Sequence, residues 1–190
     1  MTKMKLALFA SGNGSNAIAI IKHFEKHKGV DVALVLSNKS NAPIVQKAED
    51  LGIKVVTVTN EEASNPIILL NLMEDYSIDY IILAGYLRKI PSELIENYQD
   101  KIINIHPSLL PKYGGKGMYG KFVHEKVIEN KEKESGITIH FVNENFDEGM
   151  HIAQFHCKLE SNETIESLQQ KISNLELNYF PVVIEKVVNL

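Results

Sequence analysis

An open, mostly parallel α/β sheet with helices on both faces is the fold class that this sequence predicts, and three observations predict it. Short apolar runs alternate with longer amphipathic ones along most of the chain. Several of those short runs are apolar almost without interruption, as strands covered on both sides are. Pro43, Pro66 and Pro91 stand near expected helix starts, where a missing N–H costs little.

In order, residues 4–10, 31–36, 53–58, 79–84 and 101–105 read as strands, and 15–28, 42–51, 65–76 and 91–98 as the helices between them. Strand–helix–strand repeats of this length imply a parallel sheet with right-handed crossovers. The pattern then changes: 118–130 reads as a helix, and 135–142 and 151–158 as two strands joined, hairpin-like, through Asn143, Asn145, Asp147 and Gly149. These late strands form an antiparallel extension. A long helix over about 163–187 follows, with Pro181 expected to kink or split it.

At 190 residues and 44% apolar composition, without a low-complexity linker, the chain is expected to form one domain, 1–190. The net charge of −4, with Lys and Glu interspersed, argues against a broad nucleic-acid surface. A single cysteine, Cys157, excludes an intramolecular disulfide and fits a reducing compartment. The first apolar run is too short for a secretory or membrane-spanning segment. A soluble, cytoplasmic protein, monomer or homodimer, is the expectation.

The strongest chemical signal is Asn104-Ile105-His106-Pro107-Ser108-Leu109-Leu110-Pro111, with Asp147 in a later turn. Asn104 and His106 stand two apart, so an extended backbone points both side chains to one side. Pro107 suits a strand end, where polar groups emerge into a crevice. An amide, an imidazole and a carboxylate together can hold an oxyanion and move a proton. A buried, hydrogen-bonded Asn and His in a loop would show the same spacing.

A second signal is Ser11-Gly12-Asn13-Gly14-Ser15-Asn16, after a strand and before a helix. The glycines allow a tight turn, and Ser15 or Asn16 is expected to cap the helix and leave first-turn N–H groups for a phosphate, without needing a lysine. It is neither the dinucleotide fingerprint nor a P-loop. A third is Ala84-Gly85-Tyr86-Leu87-Arg88-Lys89-Ile90, at the carboxyl end of a central strand, where open α/β sheets place ligands. Tyr86, Leu87 and Ile90 are expected to line an apolar slot for a flat heterocycle, with Arg88 as local charge.

These segments, with Lys112-Tyr113 and Gly136-Ile137-Thr138-Ile139-His140-Phe141-Val142, occur in an order that closely resembles the folate-dependent phosphoribosylglycinamide formyltransferases of purine synthesis. The resemblance spans nearly the whole chain. It implies a Rossmann-like formyltransferase fold and transfer of a formyl group from 10-formyltetrahydrofolate, a co-substrate, to the amine of glycinamide ribonucleotide. It makes Asn104, His106 and Asp147 the catalytic set, and Gly12, Asn13, Gly14, Ser15, Asn16 and Glu176 the ribonucleotide-binding set. Tyr86, Leu87, Arg88, Lys89, Ile90, Asn104, His140, Phe141, Val142 and Asn143 would line the folate cleft.

Two stretches depart from the commoner pattern. Gly114-Gly115-Lys116-Gly117-Met118-Tyr119-Gly120 replaces a proline-glycine pair and a histidine-rich segment, and Glu148 follows Asp147 where a glycine is usual. Glu148 is expected to face solvent.

Neither metal nor covalent chemistry is expected. His23 and His27, and His151 and His156, converge on no third ligand, and Cys157 reads as a small buried apolar residue. Ser108 is not set in a nucleophile elbow. The alternatives are a formyltetrahydrofolate hydrolase with water as acceptor, a methionyl-tRNA formyltransferase, for which the end at Leu190 would leave no RNA-binding domain, and a nonenzymatic nucleotide sensor. The partners expected are small molecules, with no nucleic acid and no membrane.

Overall fold

The computed structural model describes residues 3–189 and divides the chain into two compact units. The first comprises the residues up to Ile103 together with those from Ile184 onward; the second runs from Asn104 to Val183.

The first unit begins with β1 (Met4–Phe9), α1 (Ser15–Phe24), β2 (Val30–Ser37), α2 (Pro43–Asp50) and β3 (Val55–Thr57). It continues through a 3-10 turn (Glu62–Ser64), α3 (Pro66–Asp75), β4 (Tyr80–Leu83) and α4 (Ser92–Asn97) to β5 (Ile102–His106), whose last three residues belong to the second unit. The hydrogen-bonded order is β3-β2-β1-β4-β5, and β1 runs parallel to both β2 and β4. Leu6, Ala7, Leu8 and Phe9 are fully buried, which accounts for the uninterrupted apolar run of β1. Pro43 and Pro66 occupy the first turns of α2 and α3, and the Asn65 side chain caps α3 by accepting from the N–H groups of Ile67 and Ile68.

The chain moves one way from β1 through β2 to β3, then crosses back to β4 on the other side of β1. Such a reversal opens a crevice at the carboxyl ends of the two central strands. The connections after β1 and β4, residues 10–14 and 84–91, both start there.

In the second unit, α5 (Lys121–Glu129), β6 (Glu134–Phe141), β7 (His151–Lys158) and α6 (Ile165–Val188, in this unit to Val183) follow the end of β5. The strands β6 and β7 pair antiparallel, with a register shift at Ile139/His140. The mostly parallel sheet with an antiparallel extension is therefore the architecture present.

Several elements differ from expectation. The strand expected over 53–58 shrinks to three residues. Helix α5 starts at Lys121 instead of 118, because Gly117 and Gly120 adopt positive φ, which stops a helix. Pro181 lies inside α6 without splitting it. Cys157 is half-buried, not buried. Among the described residues no helix is long and apolar enough to cross a membrane.

Candidate active site

In the second unit the end of β5 delivers Asn104 and His106 to a buried polar cluster. His106 is 3% exposed; its Nε2–H donates to the carbonyl of Tyr113 at 2.7 Å, leaving Nδ1 facing Asp147 Oδ2 at 3.5 Å. Asp147 also accepts the backbone N–H of Gly115 at 2.9 Å, and its Oδ1 lies 3.7 Å from His140 Nε2. His140 donates from Nδ1 to the carbonyl of Phe141 at 2.8 Å, so its Nε2 is the acceptor that receives an amide hydrogen of Asn104 at 3.1 Å. Asn104, His140, Asp147 and His106 thus form one connected line.

The local backbone explains this convergence. The register of the β6–β7 pair shifts where Ile139 faces Ala153 and His140 faces His151, so the extra residue, Ile152, lies in β7 beside this cluster. Gly149 passes so close to the Phe141 carbonyl that no Cβ would fit, which closes the turn carrying Asp147. Tyr113 and Asp147, the two partners of His106, both hold left-handed φ values, 57° and 59°. Such conformations cost energy in non-glycine residues and gather where neighbouring structure imposes them. The loop after His106 is pinned from β6 and β7: Thr138 Oγ1 donates to the carbonyl of Ser108 at 2.7 Å and accepts the N–H of Leu110 at 3.0 Å. Gln154 Nε2 donates to the Leu110 carbonyl at 3.0 Å. Ser108 is fully buried and donates to the carbonyl of Lys112, a structural role.

Electrostatics sharpen the pair. Burial pushes the His106 imidazole below its usual pKa, against the opposing pull of Asp147 and the Tyr113 carbonyl. Burial raises the Asp147 carboxyl, but His140, His106 and the Gly115 N–H outweigh it and hold the group below its ordinary value. In the ground state this is a neutral imidazole beside a carboxylate. Protonation at His106 Nδ1 would give both ring nitrogens acceptors.

In the first unit, the connection after β1 puts Gly14, φ 75°, at the N-cap of α1 with no side-chain cap, so the capping expected from Ser15 or Asn16 is corrected: Ser15 is already the first helical residue. A Cβ on Gly14 would drive into Ile44 of α2. Lys47 of α2 donates to the backbone carbonyl of Asn13 at 3.1 Å and to its Oδ1 at 2.5 Å. The loop therefore carries an ammonium group of which its own sequence gives no sign.

Residues 4–184 match the sequence profile of the formyl transferase family. The chain belongs to the formyl transferase family. A chloroplastic phosphoribosylglycinamide formyltransferase of Vigna unguiculata is 40% identical across 96% of this chain, which spans 60% of that relative. The phosphoribosylglycinamide formyltransferase of Bacillus subtilis is 35% identical, with 98% of this chain and 95% of the relative covered. The crystal structure of the Bacillus halodurans phosphoribosylglycinamide formyltransferase superposes with a TM-score of 0.87 at 33% identity, covering 97% of this chain and 95% of that one.

On this formyl transferase scaffold the residues singled out from sequence fall into three groups. Asn104, His106, Asp147 and His140 are brought together in the second unit. His140 is 2% exposed, so it supports Asn104 instead of lining a ligand surface, and Phe141 contributes its carbonyl to that support. Val142 is half-buried and Asn143 exposed, and the latter's side chain accepts the Asn145 N–H. Gly12 to Asn16, with Tyr86 to Ile90, lie in the first unit. There Tyr86 and Ile90 are buried, 8% and 4% exposed, whereas Leu87 is 56% exposed. Tyr86 packs edge-on against Phe9, and burial raises its hydroxyl pKa to about 12. Lys89 is exposed; Arg88 is half-buried, and its guanidinium donates to the carbonyl of Asn60 and to Ser64 Oγ. Glu176 sits half-buried on α6.

Glu148 is exposed and accepts from Asn145. Three further histidines meet carboxylates, His23 and His27 with Glu185 and His156 with Glu134. Among the described residues no group of three or more His, Cys, Asp or Glu is placed to hold a metal ion.

Proposed function

We propose that this formyl transferase family member moves the formyl group of 10-formyltetrahydrofolate to the amine of glycinamide ribonucleotide. The observation that carries the reading is the Asn104–His140–Asp147–His106 line, supported by the shared name of relatives that match almost the whole chain. In this reading Gly12, Asn13, Gly14, Ser15 and Asn16 receive the substrate phosphate, with Lys47 supplying positive charge and Glu176 contacting the ribonucleotide. Leu87, Arg88 and the backbone of residues 86–90 receive the folate.

The amine nitrogen attacks the formyl carbon, and the C=O electrons move to oxygen. The Asn104 amide has two hydrogens; His140 holds one, and the other serves the oxyanion. Loss of such a donor costs on the order of 3 kcal/mol of transition-state stabilisation. His106 takes the amine proton at Nδ1, where Asp147 stabilises the imidazolium. The proton then passes to the leaving folate nitrogen as the C–N bond breaks, giving formamide product and tetrahydrofolate. No covalent enzyme intermediate is required.

The test is to incubate the protein with 10-formyltetrahydrofolate, with and without glycinamide ribonucleotide. Tetrahydrofolate release that depends on the ribonucleotide supports the reading. Equal release without it, or none in either case, contradicts it.

A further inference from the structure

A ring of hydrogen bonds, entirely within the first unit, joins the two ligand loops after β1 and β4. The backbone N–H of Leu87 donates to Ser11 Oγ at 3.0 Å, and the Ser11 hydroxyl donates to Asn38 Oδ1 at 2.6 Å. Asn38 Nδ2 donates to Asn60 Oδ1 at 2.9 Å. The Asn60 carbonyl then accepts from Arg88 at 3.3 Å, and Ser64 Oγ accepts from the same guanidinium nitrogen at 3.1 Å. The ring leaves the chain at residue 87 and returns at 88. Alongside it, the Ser11 N–H donates to the Gly85 carbonyl at 3.1 Å.

Ser11 and Asn38 are both buried, so these polar groups carry desolvation that only their partners offset. Each bond reaches a different segment: the ends of β1 and β2, the stretch after β3, and the loop after β4. The Leu87 side chain is exposed, so the bond from its backbone fixes that loop where packing does not. A side chain at 38 must both accept from Ser11 and donate to Asn60, which an amide does and a carboxylate or alanine does not. At 60 only an acceptor is needed.

We infer that Asn38 and Asn60 are positioning residues for the formyl donor, holding the Leu87 backbone and the Arg88 guanidinium in register with the Ser11–Asn16 loop. Rigidity at these two loops then lowers the ordering cost of binding, which is how preorganised sites gain affinity. The assignment rests on the reading that residues 86–90 receive the folate.

The test compares Asn38→Ala, Asn60→Ala and Asn60→Asp. Without ligand, amide hydrogen exchange across residues 84–90 should quicken about 10-fold in both alanine variants, as expected for the loss of one hydrogen bond, and stay near wild type in Asn60→Asp. In turnover, Asn60→Ala should raise KM for 10-formyltetrahydrofolate about 10-fold, with kcat within about threefold of wild type. Asn60 is exposed, so its variants keep the question open to measurement even if Asn38→Ala does not fold. Unchanged exchange and KM in Asn60→Ala, or an Asn60→Asp as impaired as Asn60→Ala, would overturn the inference. A wild-type protein that transfers no formyl group would sink the functional reading instead, while the ligand-free exchange result would still decide the ring.

Discussion

Asp147 Oδ2 stands 3.5 Å from Nδ1 of His106, too long for a committed hydrogen bond in the neutral ring and close enough to attract a proton arriving at that nitrogen. The other ring nitrogen is firmly engaged by the Tyr113 carbonyl at 2.7 Å. His106 therefore has one nitrogen fixed for orientation and one basic nitrogen kept beside a negative charge. This asymmetry is what proton transfer requires: the carboxylate gains most when the imidazolium forms.

Replacing Asp147 by Asn should lower turnover by ~100-fold or more while both substrates still bind. Asp147 raises the His106 pKa against burial, so removing its charge should move the acidic limb of the pH–rate profile to lower pH. Steady-state rates across pH check both expectations; an unchanged profile would contradict them.

Glu148→Gln is the matching control. Glu148 is exposed and bonded to Asn145, so its neutralisation should leave turnover within about threefold of wild type. A larger loss would mean that the neighbouring carboxylate does the chemistry.

At the phosphate loop, Ser15→Asp should raise KM for glycinamide ribonucleotide by ~10-fold or more, because it sets a carboxylate against a phosphate, and Lys47→Met should act in the same direction. Affinity for the folate should hold within about threefold in both. Gly14→Ala is a different experiment. The left-handed φ of Gly14 and the collision of an added Cβ with Ile44 make it a stability variant, expected to lower Tm by several degrees before binding is considered.

Acid should destabilise the fold. Burial lowers the pKa of both His106 and His124 below 6.5, so these groups favour the neutral, folded form. Their stabilising contribution is complete above about pH 6.5 and is lost as pH falls from there toward their folded values. Asp147, also lowered, adds a loss only below its ordinary value of 3.8. His124 has a buried Nδ1 without a protein partner, so His124→Gln should reduce the Tm drop between pH 7 and pH 5, read by thermal scans.

Much of this is legible in the sequence, and the remainder is hidden for physical reasons. Uninterrupted apolar runs and prolines at helix starts reveal the order of elements, and two-residue spacing on a strand end reveals Asn104 and His106. The Tyr113 carbonyl that orients His106 cannot be seen there, because backbone acceptors carry no residue signature. The resemblance places His140 in the folate cleft, whereas its bond to Asn104 joins two strands and leaves no trace in the spacing within either. Lys47 resembles any solvated helix lysine, and only the proximity of α2 to Asn13 gives it a role. That Tyr86 and Ile90 are buried and Leu87 exposed is not legible either, since a loop has no periodicity to fix which side chains are buried.

The most direct measurement is single-turnover formyl transfer, with labelled 10-formyltetrahydrofolate and saturating glycinamide ribonucleotide, in wild type beside His106→Ala and Asn104→Ala. Wild type should move the label to the ribonucleotide amine, and each variant should do so at least ~100-fold more slowly while binding the ribonucleotide normally. Near-wild-type transfer by correctly folded His106→Ala would contradict the account.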